Sequence, residues 1–225
     1  MRKKIVALTG AGISKESGIP TYRDSDESLW SKYDPDKVSS KTAWKNDRES
    51  VLDFFNMVHD SMVGYLPNEA HTILKDLEKD YDVTIITQNV DDLHEKAGSS
   101  NILHLHGEIN YMRSSLDPEL KYPYKTIRLG DKCEKGSQLR PNVVLFEETP
   151  NNVPEAVAYI KECDILLIIG TSLQITYLMD ILSEVEEEQT AVYYIDPNPS
   201  NYMDGITHVE YILKPASIGL SELFN

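Results

Sequence analysis

The chain alternates short apolar runs of strand length with longer segments of helical periodicity. The runs are apolar on both faces, which is typical of buried parallel strands. One intervening segment, residues 67–80, opens with proline and places its apolar residues on one face, as an amphipathic helix does. The pattern predicts an α/β fold in which a Rossmann-like parallel sheet carries helices on both faces. The predicted strands are 4–8, 83–87, 102–105, 143–146, 165–170 and 191–195, and the predicted helices are 48–62, 67–80, 153–163 and 176–188.

Two segments depart from this alternation. Residues 24–64 have the pattern of a loop followed by helices, and residues 108–139 show little regular periodicity. A chain of 225 residues is long enough to bury one sizeable core. We therefore expect a single domain over residues 1–225, with a small second lobe formed by these two insertions.

Charge and hydropathy exclude several classes of protein. Lys and Arg number 22 against 37 Asp and Glu, a formal charge of −15 that argues against direct nucleic-acid binding. The longest apolar run, residues 164–170, is far too short to span a membrane, and the N-terminus lacks a signal-peptide cleavage pattern. Only Cys133 and Cys163 occur, without a CxxC pair, which fits a reducing compartment. The sequence predicts a cytoplasmic protein.

Polar residues stand where two of the predicted strands end. Gln88, Asn89 and Asp91 follow one strand, and His104 and His106 lie two apart in the next apolar run. Alternate residues of a strand share a face, and ligands bind at the carboxyl ends of parallel strands. A single histidine is nevertheless more often a structural residue than a functional one, so position alone leaves both readings open.

A glycine-rich stretch, LTGAGISKESGIPTYRD (8–24), follows the first strand. Gly10 and Gly12 permit a tight turn and a close approach of the backbone to a ligand, and N–H groups at a helix start hold phosphate. The GxGxxG spacing fails, however, because residue 15 is lysine. A phosphate-binding loop and a plain glycine-rich turn are equally compatible with this pattern.

The longer string GAGISKESGIPTYR resembles the GAGxSxxSGIPxFR signature of the sirtuins, a family of NAD-dependent protein deacylases. Other stretches resemble sirtuin motifs in the family's order. They are LWSKYDP (29–35), PNEAH (67–71), TQNVDDLHEKAG (87–98), LHG (105–107), RPNVVLFEE (140–148) and IIGTSLQI (168–175).

The resemblance implies NAD as cofactor and an acyl-lysine protein or peptide as partner. The acyl oxygen would displace nicotinamide, and His106 would act as general base on a ribose hydroxyl that attacks the resulting intermediate. Asn89, also catalytic, and Asp91 would line the nicotinamide pocket, Gln88 would bind the nicotinamide ribose, and His104 receives no role. The other implied cofactor-binding residues are Gly10, Ala11, Gly12, Ser14, Tyr22, Arg23, Gly170, Thr171, Ser172 and Asp196. The implied substrate-binding loop, expected to pair with the peptide backbone as an added strand, is Val143, Val144, Leu145, Phe146 and Glu147.

The sequence departs from the family at the zinc site. Most sirtuins hold zinc on two CxxC pairs, whereas residues 108–139 contain one cysteine and no histidine. A single thiolate is not a tetrahedral zinc site. We expect no metal, and we expect Tyr111, Tyr122 and Tyr124 to replace zinc by packing.

Three further departures concern the substrates. Phe55 and Val58 stand where desuccinylating sirtuins carry tyrosine and arginine, which favours short neutral acyl groups such as acetyl. Tyr22 replaces the usual phenylalanine that shields the reacting centre, which favours some NAD hydrolysis. Glu147 replaces a glycine: pointing outward it leaves the peptide pairing intact, and pointing inward it impairs the pairing.

The sequence thus favours an NAD-dependent protein-lysine deacetylase that yields nicotinamide, deacetylated lysine and O-acetyl-ADP-ribose. An NAD glycohydrolase or ADP-ribosyltransferase acting at the same site is the alternative. A nucleotide-binding module without turnover is the third reading, and the joint presence of Asn89, Asp91 and His106 disfavours it because binding alone does not need a base.

Overall fold

A computed structural model describes residues 2–21, 32–186, 188–200 and 208–224. It contains a six-stranded parallel sheet and a three-stranded antiparallel sheet. The strands are β1 (Lys4–Thr9), β2 (Asp82–Thr87), β3 (Ile102–His104), β4 (Gly107–Ser114), β5 (Lys121–Pro123), β6 (Leu139–Val143), β7 (Ile165–Ile169), β8 (Ala191–Ile195) and β9 (Val209–Ile212). The helices are α1 (Ala11–Ser14), α2 (Pro35–Val38), α3 (Lys41–Asn46), α4 (Arg48–Met62), α5 (Glu69–Leu77), α6 (Leu93–Ala97), α7 (Val153–Lys161), α8 (Thr176–Leu182) and α9 (Ala216–Phe224).

The large sheet is buried on both faces. Within β7, Leu166 and Ile168 join a core cluster with α7 and α8, whereas Leu167 and Ile169 join a separate cluster with α5 and α9. Successive side chains of a strand point to opposite faces, so an uninterrupted apolar strand requires helices on both sides. The predicted α/β architecture is confirmed.

The strand order of the large sheet positions a crevice. The order is β3-β2-β1-β7-β8-β9, and every neighbouring pair is parallel. Strands β2 and β3 therefore follow β1 on one side, and the chain then returns to place β7, β8 and β9 on the other side. Such a switch point opens a crevice at the carboxyl ends of the two central strands, here β1 and β7.

The small lobe is built on the antiparallel sheet, ordered β5-β4-β6. Its core joins β4 and β6 to α3 and α4 through a cluster that includes Trp44, Leu52, Ile109 and Leu139. The two predicted insertions thus contribute to one apolar cluster, although residues 24–31 lie outside the described part of the chain. The division into a single domain with such a lobe stays a prediction.

Several sequence predictions were wrong in detail. The strand expected at 143–146 lies earlier, at β6, and Phe146 forms only an isolated bridge to Ser40. Pro141 lies within β6, which is tolerated because β6 is an edge strand. Strands β4 and β5 fall, apart from Gly107, in the segment 108–139, where the sequence shows little regular periodicity. The pairing of β4 with β6 shifts register between Gly107 and Met112. Strand β9 and helix α9 were not predicted. No helix within the described residues has both the length and the apolar character to cross a membrane.

Candidate active site

The turns after β1 and β7 are pressed together at the crevice. Gly12 donates its N–H to the carbonyl of Gly170 over 2.8 Å, and a Cβ on Gly12 would lie 2.5 Å from the Gly170 Cα. Gly170 has a φ of +59°, and a Cβ there would lie 2.5 Å from the Ile13 nitrogen. The sequence had indicated that Gly12 allows the backbone to approach a ligand. In the structure, the close approach is between these two turns, and no side chain fits there.

The first turn is joined to the residues after β2 by a buried polar network. Asn89 donates its side-chain N–H to the carbonyl of Gly10 over 3.1 Å and to Ser14 Oγ over 3.2 Å. Ser14 in turn donates to Asp91 Oδ2 over 2.9 Å. Burial raises the pKa of the Asp91 carboxyl group, although the Leu93 N–H and the Ser14 hydroxyl oppose the shift. The network fixes the orientation of three predicted site residues, Ser14, Asn89 and Asp91.

The residue Gln88 connects the ends of β2 and β7. Its side-chain amide donates to Thr171 Oγ1 over 2.8 Å, and the carbonyl of Thr171 accepts a hydrogen bond from the buried Tyr194 hydroxyl over 2.6 Å. The structure therefore brings the predicted residues Gln88 and Thr171 together across β1.

The imidazole of His106 lies at the same edge and is held at both nitrogens. Its Nδ1 is 2.7 Å from the carbonyl oxygen of Gln88, and its Nε2 is 2.6 Å from the Tyr177 hydroxyl. A carbonyl only accepts, so Nδ1 carries the proton when the ring is neutral. Burial lowers the pKa of His106, against the opposing effect of the Gln88 carbonyl. The ring is thus oriented as a neutral imidazole with its proton-accepting nitrogen at Nε2.

The neighbouring His104 has a different environment. Its Nε2 is 2.6 Å from Glu95 Oε1, and its Nδ1 is 3.3 Å from the carbonyl of Asn89. Burial opposes protonation, but the hydrogen bond and charge of Glu95 outweigh it and raise the pKa of His104. Both ring nitrogens face acceptors, so neither offers a lone pair to a substrate proton, which agrees with the absence of a role for His104.

The other predicted cofactor residues are placed as follows. Ala11 is exposed at the start of α1, whose amino end has no side-chain cap, and Ser172 is half-buried beside Thr171. Asp196 follows β8 and accepts from the N–H of Asn198 over 2.7 Å. Tyr22 and Arg23 lie outside the described residues.

The predicted substrate loop leaves β6 beside His106. Val143 pairs with Gly107, and Val144 donates its N–H to the carbonyl of His106 over 2.8 Å. The backbone of Phe146 is paired within this chain, since its N–H donates to Ser39 over 2.8 Å and its carbonyl accepts from Lys41 over 2.9 Å. A peptide added as a strand therefore has to use other backbone groups of the loop.

The side chain of Glu147 was expected to point either away from the peptide-binding loop or into it. Its side chain is exposed, and Oε2 accepts from both the N–H and the hydroxyl of Thr42, at 3.0 and 2.7 Å. Its φ is +70°, a left-handed conformation that costs energy for a residue with a Cβ. The carboxylate is held against α3, which is the outward arrangement.

Three residues near the site were not singled out from the sequence. Arg140 forms a two-pronged ion pair with Glu148, at 2.7 and 3.0 Å, and so closes the base of the substrate loop. Both lie in the RPNVVLFEE motif, where opposite charges at the two ends were a usable signal. Tyr177 lies just after the IIGTSLQI motif (168–175), and no sequence signal placed its hydroxyl against His106.

Metal ligands are not clustered in the described part of the chain, where no group of three His, Cys, Asp or Glu side chains is placed to hold an ion. Cys133 is buried in the small lobe next to Ser137. Of the three tyrosines expected to replace zinc, Tyr122 and Tyr124 pack against the lobe core, but Tyr111 is 41% exposed and that assignment was wrong. The absence of zinc itself stays a prediction.

Comparison with known proteins identifies the family. A family model described as SIR2, Sir2 family, matches residues 10–177. The chain belongs to the Sir2, or sirtuin, family. The match covers the glycine-rich turn, the polar residues after β2, His106 and the turn after β7.

Similar proteins span nearly the whole chain. An NAD-dependent protein deacylase of Helicobacter pylori is 48% identical over 200 residues, covering 88% of this chain and 86% of that protein. One of Bacteroides thetaiotaomicron is 42% identical over 229 residues, covering 98% and 96%. A solved structure of a mutant Sir2 homologue with 2′-O-acetyl ADP-ribose superposes with a TM-score of 0.85 at 32% identity, covering 99% of this chain and 90% of that one.

Proposed function

We propose that this chain removes acetyl groups from protein lysines, with NAD as co-substrate, and releases nicotinamide and O-acetyl-ADP-ribose. It is an NAD-dependent protein deacylase by family and by its similarity to deacylases over most of their length. The observation that carries the finer proposal is the His106 ring, which is neutral, oriented through Nδ1 and adjacent to the crevice between β1 and β7.

The base is suited to its task. A general base must be uncharged at working pH and must direct a lone pair toward the proton it takes. The Gln88 carbonyl fixes the tautomer of His106, and burial keeps the ring neutral. We propose that Nε2 accepts the proton of a ribose hydroxyl, so that the hydroxyl oxygen attacks the acyl-derived intermediate.

The residues around the crevice fit a dinucleotide. NAD supplies an activated glycosidic bond whose cleavage releases nicotinamide. We propose that Asn89 and Asp91 bind the nicotinamide end, because Ser14 and the Leu93 N–H already hold the Asp91 carboxyl group in place. Gln88 and Thr171 are proposed to bind the adjacent ribose. Gly10, Gly12 and Gly170 keep side chains out of the junction between the two turns, where the backbone is proposed to face the phosphates.

The acyl preference is proposed from the small lobe. Phe55 and Val58 are 3% and 6% exposed and belong to its apolar core. Neither side chain can pair with a carboxylate, which favours neutral acyl groups over succinyl. The loop from Val143 to Glu147 is proposed to hold the peptide, through backbone groups other than those of Phe146.

The experiment is incubation of the protein with NAD and an acetyl-lysine peptide, with a succinyl-lysine peptide of the same sequence as the matched control. We expect peptide-dependent release of nicotinamide and formation of O-acetyl-ADP-ribose, both detected by mass spectrometry. The deacetylase proposal is wrong if nicotinamide release does not depend on the acetyl peptide. Equal turnover of the succinyl peptide would refute the proposed acyl preference.

A further inference from the structure

Tyr177 is placed on His106 by the first turn of α8. Its hydroxyl oxygen is 2.6 Å from Nε2, and the two rings meet edge to face with their centroids 6.0 Å apart at 82°. The rest of the tyrosine is half-buried and packs against the core cluster beneath α7 and α8. The contact is therefore made by a side chain that the core holds in position.

The direction of this hydrogen bond follows from the other side of the ring. Nδ1 faces the Gln88 carbonyl, which only accepts, so in the neutral ring Nδ1 holds the proton and Nε2 holds the single lone pair. The phenol must then donate to Nε2. Burial raises the pKa of Tyr177 and lowers the pKa of His106, and both shifts favour this neutral pairing.

We propose that Tyr177 is a positioning residue that occupies the proton-accepting nitrogen of His106 in the free enzyme and gives way to a substrate hydroxyl. The proposal rests on the proposed role of His106 as the base. The substrate hydroxyl replaces the Tyr177 hydroxyl as the donor to Nε2, so the exchange costs little. Until substrate arrives, the phenol keeps water away from the Nε2 lone pair. The proton passes from the substrate hydroxyl to Nε2, and the phenol keeps its own proton.

The test is Tyr177→Phe, which removes the hydroxyl and keeps the ring. Imidazole NMR signals are followed against pH in the free protein, and the His106 signal is assigned by its loss in His106→Ala. A donor to Nε2 stabilises the neutral ring, so we expect the pKa of His106 to rise in Tyr177→Phe. The acid limb of the kcat/KM profile is expected to move to higher pH with it.

The loss of the hydrogen bond to Nε2 in Tyr177→Phe should also change the kinetics. Because no hydrogen bond has to be displaced, kcat/KM for NAD above the acid limb should rise about two- to tenfold, the equivalent of one neutral hydrogen bond. Tyr159→Phe is the matched control, since Tyr159 packs against the same core cluster from α7 without contacting His106. It should leave both the titration and the rate unchanged.

Two results would overturn the proposal. An unchanged His106 titration in Tyr177→Phe means that the phenol does not occupy Nε2. A loss of activity of about 100-fold or more means that the phenol carries the proton itself, as a general acid–base group would. Because the titration is read in the free protein, it stands even if wild type proves inactive on acetyl peptides. Should the variant not fold, the ¹⁵N shift of Nε2 in the neutral ring of free wild-type protein gives the answer. A lone pair that accepts a hydrogen bond is shifted upfield, as we expect here, and the shift of a lone pair without a donor would overturn the proposal.

Discussion

A buried carboxyl group at the crevice, Asp91, and a half-buried one beside the small lobe, Glu148, experience opposite environments. Asp91 accepts from a hydroxyl and a backbone N–H, and burial raises its pKa. Glu148 is also penalised by burial, but two hydrogen bonds and the charge of Arg140 outweigh the penalty and lower its pKa. The lobe residue is paired within the chain, whereas no cation pairs with Asp91 among the contacts of the described residues.

The same difference extends to the surrounding residues. In the lobe, the Asn56 side chain makes three hydrogen bonds of 2.9 Å to segment 124–127, so its polar atoms serve the fold. At the crevice, burial lowers the pKa of His106 while its Nε2 contacts only a phenol among the described hydrogen bonds. Groups held at perturbed pKa values in a cleft are typical of functional sites. We therefore propose that the polar groups of the crevice serve the reaction, whereas those of the lobe serve stability.

The largest effect on activity is expected from replacing His106, the proposed general base. His106→Ala should lower the rate of deacetylation by a factor on the order of 10²–10⁴, the usual contribution of a general base. His104→Asn is the control, and its rate should stay close to wild type because the ion pair with Glu95 is structural. Steady-state kinetics with an acetyl peptide measure both. Equal losses in the two variants would contradict the assignment of the base.

Breaking the lobe ion pair should reduce stability instead. Glu148→Gln leaves the buried Arg140 guanidinium without its counter-charge, and we expect a loss of about 3 kcal/mol in the free energy of unfolding. Its neighbour provides the control, since Glu147 is exposed and Glu147→Gln should cost less than about 1 kcal/mol. Urea unfolding at pH 7 measures both values. The account of the lobe fails if the two substitutions cost the same.

Acidification should weaken the protein through the histidines beneath the crevice. His71 and His94 are buried with their rings 4.8 Å apart, and burial lowers the pKa of His71 from 6.5 to about 4. The unfolded chain binds more protons than the folded one between these two values, so stability is present above pH 6.5 and is lost as pH falls toward 4. From His71 alone we expect a loss of about 2 kcal/mol between pH 7 and pH 5.

The variant that tests this is His71→Gln. Glutamine keeps a polar atom for the cap with Asn68, which uses the side chain at this position of α5, but it does not titrate. Urea unfolding at several pH values should show a shallower acid slope for the variant, with the remainder contributed by His94, whose pKa is also lowered by burial. An unchanged slope would mean that His71 is not the titrating group.

A smaller effect is expected from one lobe hydroxyl. Tyr124→Phe removes the donor to Asn56 Oδ1 and should cost about 1 kcal/mol in the free energy of unfolding. Tyr111→Phe, at the exposed tyrosine, should change stability by no more than about 0.5 kcal/mol. If the two variants have the same free energy of unfolding, the hydroxyl of Tyr124 does not stabilise the lobe.

No effect is expected from chelators. If the lobe is held by side-chain contacts without zinc, treatment with 1,10-phenanthroline should leave the thermal unfolding of untreated protein unchanged. Elemental analysis of the same sample provides the direct check. One zinc per chain, with a lower melting temperature after chelation, would refute the predicted absence of metal.

The large sheet was predictable because its signal is local. Strands such as β7 are apolar at every position, and helices such as α5 show their buried face in the sequence. The small lobe was harder, since β6 contains Pro141 and β4 changes register, and both features weaken the alternation that marks a strand. In such a sheet, pairing partners distant in sequence decide the structure.

The candidate site divides in the same way. Motif resemblance brought out Asn89, Asp91 and His106, which the structure places at one sheet edge. It did not reveal the contact of Tyr177 with His106, because that contact joins α8 to a residue 71 positions earlier. Nor did it show that Gly12 and Gly170 pack against each other, which depends on β1 and β7 being neighbours.

A crystal structure with bound NAD would show whether the polar residues of the crevice surround the reacting sugar. We expect a hydroxyl of the nicotinamide ribose within hydrogen-bonding distance of His106 Nε2, with the carboxamide beside Asp91. A nucleotide bound elsewhere, or an imidazole directed away from that sugar, would contradict it.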